Sequence, residues 1–459
     1  MRPAPLYFFY RQSPRPLVPA VVNITGLLEG ALITDDNPPP TLPGMAGVHL
    51  DPNGRLLRLY AIPPRRSESP PTPDDPGWFR WFDPQMLGFD LEELQPARPE
   101  WTPPCACDRQ AAWTGVLPDR PGVPVRVEAA AYRGRPVYFE VMPARREAER
   151  VDRRPDVVLL ALQAGVIVLA VRNLRRGRGD VRGAVRLGLA ILAVTAGAWL
   201  VGGHHTGSQE TSQFAGALGV GGWSALLFGL GYVALEPAVR RRWPWRITAW
   251  NRVLDGRLRD PMVGRDLLIG LALGAAVLLV LRVDWLTVAW AGVPPIPLTG
   301  AGPFALEVPG PPTPLYVLLC FVLVPIITPV LYLVLSFLLF LVLRREWLAW
   351  GAVWLLFVAL FTAPLLGPSP TGNALTVFWS GLRVGLAVFA VARFGLIAFA
   401  GLLTCTELLS LVPLTTDLSA WYASQGVLMA LIIVGLAVYA FFTATRGRRL
   451  FGEGFFGDE

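Results

Sequence analysis

The stretch Glu236–Asp266, EPAVRRRWPWRITAWNRVLDGRLRDPMVGRD, carries eight arginines and three tryptophans between two long apolar runs. Arginine is kept out of short loops that are moved across a bilayer, so charge of this kind reports which side of a membrane a loop occupies. The fold class turns on that reading.

The 459-residue chain is 53% hydrophobic and 16% charged, with a mean hydropathy of +0.44. That is too apolar for an ordinary soluble protein of this size and implies several membrane spans. The apolar residues are unevenly placed. Residues 1 to about 155 read as soluble and hold more than half of the 44 prolines; from Asp156 onward the sequence is a series of apolar blocks. The net charge of +7 fits nucleic acid or an anionic membrane surface. The arginines cluster beside apolar runs, so the bilayer and its anionic headgroups are the expected partner and nucleic acid is not. All 41 basic residues are arginine, which excludes a Walker A lysine, a kinase strand lysine and a Schiff-base lysine.

About 20 apolar residues cross a hydrocarbon core of about 30 Å. Nine segments are candidates: the short and poorly flanked Val157–Val171, then Val185–Val201, Gly216–Leu235, Leu267–Leu281, Tyr316–Leu343, Trp347–Leu366, Ala374–Ala392, Phe394–Val412 and Leu418–Ala444. Pro325 and Pro329 are expected to kink or tilt the fifth. The run Ala374–Val412 reads as two spans turning at Arg393 and Gly395, with one long bent helix as the alternative. Arginines fill alternate connections: Arg172–Arg186, Glu236–Asp266, Arg344–Glu346 and the C-terminal tail. The intervening stretches GGHHTGSQETSQFA, Val283–Pro314, TAPLLGPSPTGN and PLTTDLS hold none, which places the C-terminus in the cytoplasm and residues 1–155 outside. ARREAERVDRR, with five arginines before the first span, runs against this pattern. MRPAPLYFFYRQSPRP lacks the features of a secretory signal, so export of the first domain calls for an upstream span.

The domain itself reads as α+β. GVHLDPNGRLLRLYAIP and VPVRVEAAAYRGRPVYFEVMP alternate apolar and polar residues around Asp51–Gly54 and Arg133-Gly134, which is a hairpin pattern. GWFRWFDPQMLGFDLEEL between them reads as a short helical piece broken at Pro84. The expected fold is therefore mainly α: a polytopic helical membrane bundle of about nine spans (156–445), preceded by a small α+β soluble domain with β-hairpins (1–155) and followed by a cytoplasmic tail (446–459).

GMAGVHLDPNGRLLRLYAIPP, WTPPCACDRQAAWTG and RVEAAAYRGRPVYFEVM resemble the region that follows the kinase domain in bacterial transmembrane serine/threonine protein kinases of acidobacteria-like lineages. RNLRRGRGDVRGAVRL, the Glu236–Asp266 stretch, LRREWLA, RFGLIAF and PLTTDLSAWYA resemble the same proteins in the same order. The resemblance implies a kinase domain and one span upstream. No His-Arg-Asp or Asp-Phe-Gly motif is present, so no catalytic residue carries over and the chain is not expected to be an enzyme on its own.

Two constellations stand out. The arginine loop, with Arg240, Arg241, Arg242, Trp243, Trp245, Arg246, Arg252, Arg257, Arg259 and Arg265, reads first as a headgroup-facing loop with Trp243, Trp245 and Trp250 at the interface. Its second reading is a docking surface for a cytoplasmic kinase domain in cis or trans. Arg383 and Glu407, at comparable depth on either side of Arg393, suggest a buried charge pair. The pair His204-His205, with Glu210, reads as a solvated loop. Cys105 and Cys107 are too close in sequence for an easy disulfide and read as loop thiols, with a redox or metal pair as the alternative. Cys320 and Cys405 read as packing residues. No cofactor is expected. These features predict a non-catalytic membrane module of a bacterial signalling protein in the cytoplasmic membrane. A transporter, a channel or an orphan scaffold subunit is the alternative.

Overall fold

The computed structural model describes residues 7–18, 33, 35, 37–66, 72, 73, 77–116, 124–143, 157–203, 205, 207, 210–290, 314–362, 370–410, 414–419 and 423–445. Met1–Ala20, Leu32–Arg154 and His204–Gln209 form one compact unit; Val21–Ala31, Pro155–Gly203 and Glu210–Glu459 form the other.

The first unit is built on an antiparallel sheet of β1 (Phe8–Gln12), β2 (Ala46–Leu50), β3 (Leu56–Ala61), β4 (Gln95–Ala97), β5 (Arg109–Val116), β6 (Pro124–Tyr132) and β7 (Arg135–Pro143), in the order β1-β2-β3-β7-β6-β5-β4. Both expected hairpins are present. In β2–β3, the Asp51 carboxylate accepts hydrogen bonds from the backbone N–H groups of Asn53 (2.8 Å) and Arg55 (2.9 Å). In β6–β7, Arg133 and Gly134 have φ of 50° and 71°, and Tyr132 pairs with Arg135. That is a two-residue turn of the mirror-image type that matches strand twist. Asp108 accepts from Arg133 N (2.9 Å) and from the Thr72 hydroxyl (2.5 Å), and Thr72 Oγ1 accepts from Gly134 N (2.8 Å). Burial would raise the Asp108 pKa, but these donors outweigh it and hold the carboxyl below its ordinary value.

Two short helices, α1 (Trp78–Trp81) and α2 (Pro84–Leu87), break where Pro84 was expected to break them. Pro84 takes the first position of α2 because its missing N–H would have no partner there, and Asp83 caps Gln85 N at 2.7 Å. Trp78, Phe82, Leu87 and Leu91 cover one sheet face over Val127, Ala129 and Phe139. The opposite face of β6 buries Arg126 and Glu128, two residues apart and so on one side of the strand. Arg126 Nε donates to Glu128 at 2.7 Å, and Glu128 also accepts from Glu100 N and Trp101 N.

The second unit is helical: α3 (Val157–Arg175), α4 (Val181–Gly202), α5 (Glu210–Arg242), α6 (Pro244–Leu254), α7 (Pro261–Trp290), α8 (Pro314–Leu343), α9 (Glu346–Thr362), α10 (Pro370–Arg393), α11 (Leu396–Ser410) and α12 (Ala423–Ala444). Each expected apolar segment overlaps a helix of its own among the described residues. Among the described residues, six of these helices are long and apolar enough to cross a membrane, with qualifying stretches in α4, α5, α7, α8, α10 and α12. α9 and α11 have 17 and 15 residues, or about 25 and 22 Å at 1.5 Å per residue. The chain therefore has the architecture of a multi-pass membrane protein. α8 runs unbroken through Pro325 and Pro329. The run 374–412 forms two helices rather than one bent one. Phe394 and Gly395 both donate to Ala390 O, and Gly395 adopts a φ of 94°.

Small residues set the packing of α11. A Cβ on Gly270 of α7 would lie 2.1 Å from Ala398 O, and one on Gly274 would lie 2.8 Å from Leu402 O. The two backbones touch, as small residues at helix interfaces allow in apolar surroundings.

Candidate functional site

The arginine stretch folds into a hub. α5 ends at Arg242, Trp243 spans the gap, and Pro244 opens α6. Ile247, Trp250 and Leu254 recur at helical spacing, and α6 buries Arg246, Ile247, Ala249 and Trp250 along one side.

Arg246 is at the centre and only 4% exposed. Its guanidinium carbon lies 4.4 Å from the Trp243 ring, 5.0 Å from Trp350 and 5.2 Å from Trp245. It forms an ion pair with Glu346, the first residue of α9, and its Nε donates to Ala392 O of α10 at 2.9 Å. Trp243 Nε1 donates to the other Glu346 oxygen at 3.1 Å. Burial would raise the Glu346 pKa, but the hydrogen bond and charge of Arg246 outweigh it and hold the carboxyl below its ordinary value. Gly395, between α10 and α11, fits for two reasons. Its φ is positive, and a Cβ there would lie 2.4 Å from Arg246 O.

Further contacts tie neighbouring helices to the same end. Tyr232 of α5 donates to Asn251 of α6 at 2.8 Å. Arg186 of α4 donates to Leu254 O at 2.6 Å and pairs with Asp255 at 3.1 Å. Tyr439 of α12 donates to Leu258 O at 2.7 Å. Asp260 caps α7 through Met262 N and pairs with Arg252 at 2.5 Å. Pro237 inside α5 has no N–H for the carbonyl four residues earlier, Val233. Asn173 of α3 supplies the donor, with Nδ2 reaching Val233 O (3.1 Å) and Ala234 O (2.9 Å). The arginine-bearing connections 172–186, 236–266, 344–346 and 393–395 thus gather at one end of the helical unit.

The ten singled-out loop residues divide. Arg240, Arg241, Arg242, Arg257, Arg259 and Arg265 are exposed, as is Trp245. Arg240 pairs with Glu236 at 3.2 Å, and Arg265 pairs with Asp266 at 2.8 Å. Three expectations are corrected. Arg246 is not a docking cation, because it is buried and its charge is matched inside the protein. Trp243 and Trp250 are core residues rather than interface residues, being 0% and 5% exposed. Folding of α6 turns them inward, and Glu346, the partner that makes this burial stable, lies 100 residues further along the chain from Arg246.

The expected Arg383–Glu407 pair is also corrected. Arg383 donates to Ser380 at 2.8 Å, and the carboxylate whose charge acts on it is Asp284 of α7. Close beside them Trp379 of α10 donates to Thr287 of α7 at 2.9 Å. The Glu407 carboxylate makes no ion pair or hydrogen bond among the described residues. The cause is the α7–α11 glycine contact, which seats α11 on α7 and leaves Arg383 facing α7 instead.

Cys105, Cys107 and Cys405 are free thiols. Burial, then the neighbouring Cys107, pushes the Cys105 thiol up to about 11, the reverse of what a reactive or metal-binding thiol needs. His204 and the tail 446–459 lie outside the described residues, as does the Cys320 side chain. Among the described residues no group of three or more His, Cys, Asp or Glu is gathered to hold a metal ion. No family model, curated protein or solved structure matches the chain.

Proposed function

We infer that the chain is a membrane-embedded transduction module of a signalling protein. In this reading all nine apolar helices cross the bilayer, the arginine-bearing end faces the cytoplasm, and the sheet unit lies on the opposite side. The hub at Arg246 carries the inference. One 11-residue helix holds groups from the ends of α4, α5, α9 and α10, so a shift of any one of them is felt by the others. Interfaces of this kind are bistable rather than continuously deformable, which suits them to relaying a change. The absence of lysine and the resemblance to kinase-associated membrane regions support the same reading, with a cytoplasmic kinase domain as the partner receiving the change.

The test is hydrogen exchange on the full chain in nanodiscs, with and without a nanobody raised against residues 37–143. The module reading expects altered exchange in Pro244–Leu254 when the sheet unit is bound. Unchanged exchange there, with the nanobody saturating, overturns it.

One observation favours a second reading, a transporter. Glu407 has no partner among the described residues, and unpaired carboxylates at membrane depth often mark ion pathways. Proton flux in proteoliposomes that is abolished by Glu407→Gln would establish this alternative.

A further inference from the structure

The hub leaves one corner of the helical unit strongly cationic. Arg242 closes α5, and its guanidinium carbon stands 5.3 Å from the Phe340 ring of α8. Trp243 packs on the same ring at 5.5 Å. One turn beyond Phe340 come Arg344 and Arg345, and Arg344 N donates to Phe340 O at 2.8 Å. Arg242 and Arg344, about 100 residues apart in sequence, therefore meet at Phe340, with Arg241 and Arg345 as their chain neighbours. All four are exposed and form no ion pair among the described residues. The neighbouring carboxylate, Glu346, is already held by Arg246 and Trp243.

Two features identify what the corner fits. Leu341 and Val342, directly before these arginines, are 56% and 77% exposed, and the membrane-crossing stretch of α8 ends at Leu343. Exposed apolar residues followed by exposed cations match an acyl chain followed by a phosphate. Trp245 and Trp347 beside them are 47% and 67% exposed, as aromatic side chains at headgroup level are. Arg344 also holds a φ of 57°, a conformation that glycine adopts without steric cost, so the position keeps a guanidinium where the backbone favours none.

We propose that the α5–α8/α9 corner is a binding site for an acidic phospholipid, with Arg242, Arg344 and Arg345 gripping the phosphate and Leu341 and Val342 lying along the acyl chain. Arginine forks match phosphate oxygens in pairs. The proposal rests on these helices crossing a bilayer, but not on which leaflet the arginines face, so it and the transduction reading fail separately.

The experiment is native mass spectrometry of the full chain in micelles doped with equal acidic and zwitterionic phospholipid. The wild type is expected to retain the acidic lipid. A variant with Arg242→Gln, Arg344→Gly and Arg345→Gln is expected to lose it by about 100-fold, at roughly fivefold per arginine. Arg344→Gly relieves the backbone at that position, so loss of lipid in that single variant is not a folding defect. Arg175→Gln with Arg257→Gln, at other exposed arginines, is expected to leave retention intact. Equal loss in this control would reduce the site to general surface charge and overturn the proposal. So would displacement of the lipid by millimolar inorganic phosphate or by a phosphoserine peptide, which would assign the corner to a soluble ligand or a protein partner.

Discussion

Replacing Glu346 by Gln removes the charge opposite Arg246 while keeping an amide oxygen for Trp243 Nε1. Breaking a buried ion pair from one side costs about 3–5 kcal/mol, because the remaining charge stays desolvated. The Arg246 side chain is 3% exposed and that of Glu346 is 39%, so water screens one partner and the expected loss falls to about 1–3 kcal/mol. The ring contacts of Arg246, about 0.5–2 kcal/mol each, and its bond to Ala392 O survive and keep the fold. Adding Arg246→Leu removes the stranded charge. Arg246→Leu also removes the ring contacts and the bond to Ala392 O, so the double variant is expected to lose less stability than the sum of the two single losses, a coupling that a double-mutant cycle isolates. The assay is thermal unfolding of the full chain in detergent at several pH values. The folded Glu346 pKa lies below its unfolded value, so its contribution is complete above the ordinary glutamate pKa of about 4.3. It is lost as pH falls through the lower folded value, and wild type and Glu346→Gln should converge there. An unchanged Glu346→Gln variant, or strictly additive losses in the cycle, would refute the claim that this pair holds the hub.

Other perturbations test other joints. Gly395→Ala meets both a positive φ and the Arg246 carbonyl, and should lower the unfolding temperature while increasing trypsin cleavage near Arg393. Gly270→Val forces α11 off α7 at a cost of about 1–3 kcal/mol, read as faster SDS-induced unfolding. Asn173→Leu leaves the Val233 carbonyl of α5 without a donor, costing about 1–3 kcal/mol, and should raise amide exchange around Pro237. Asp108→Asn weakens the grip on the β6–β7 turn. Exchange at Arg133 and Gly134 should rise, and acidification through the lowered Asp108 pKa should do the same in the wild type, because the bonded carboxylate is the form that stabilises.

Elements whose signal is local were legible. The two hairpins follow from Asp51–Gly54 and Arg133-Gly134, where Gly54 and Gly134 supply positive φ at the turns. The apolar segments follow from hydropathy over 15–20 residues, and the break at Arg393 and Gly395 follows from a charge and a glycine in an otherwise apolar run. β1, β4 and β5 were not anticipated, because β4 has three residues and takes its place only by pairing with β5. α6 was hidden by the arginines of the Glu236–Asp266 stretch. Eight cations suggest a solvated loop, and only the remote Glu346, Ala392 and Trp350 make one of them a core residue. The Arg383 partner was missed for the same reason: depth along a helix is legible in one dimension, but which neighbour stands opposite depends on Gly270 and Gly274 letting α11 onto α7.

The most direct test is sidedness. In a full chain with its four cysteines replaced, single cysteines at Asn53 in the β2–β3 turn and at Arg257 after α6 are labelled with an impermeant maleimide in sealed vesicles of known orientation. Both positions are exposed. Labelling of Arg257→Cys from the cytoplasmic face and of Asn53→Cys only from the opposite face is the expected result. Labelling of both from the same face would contradict the account.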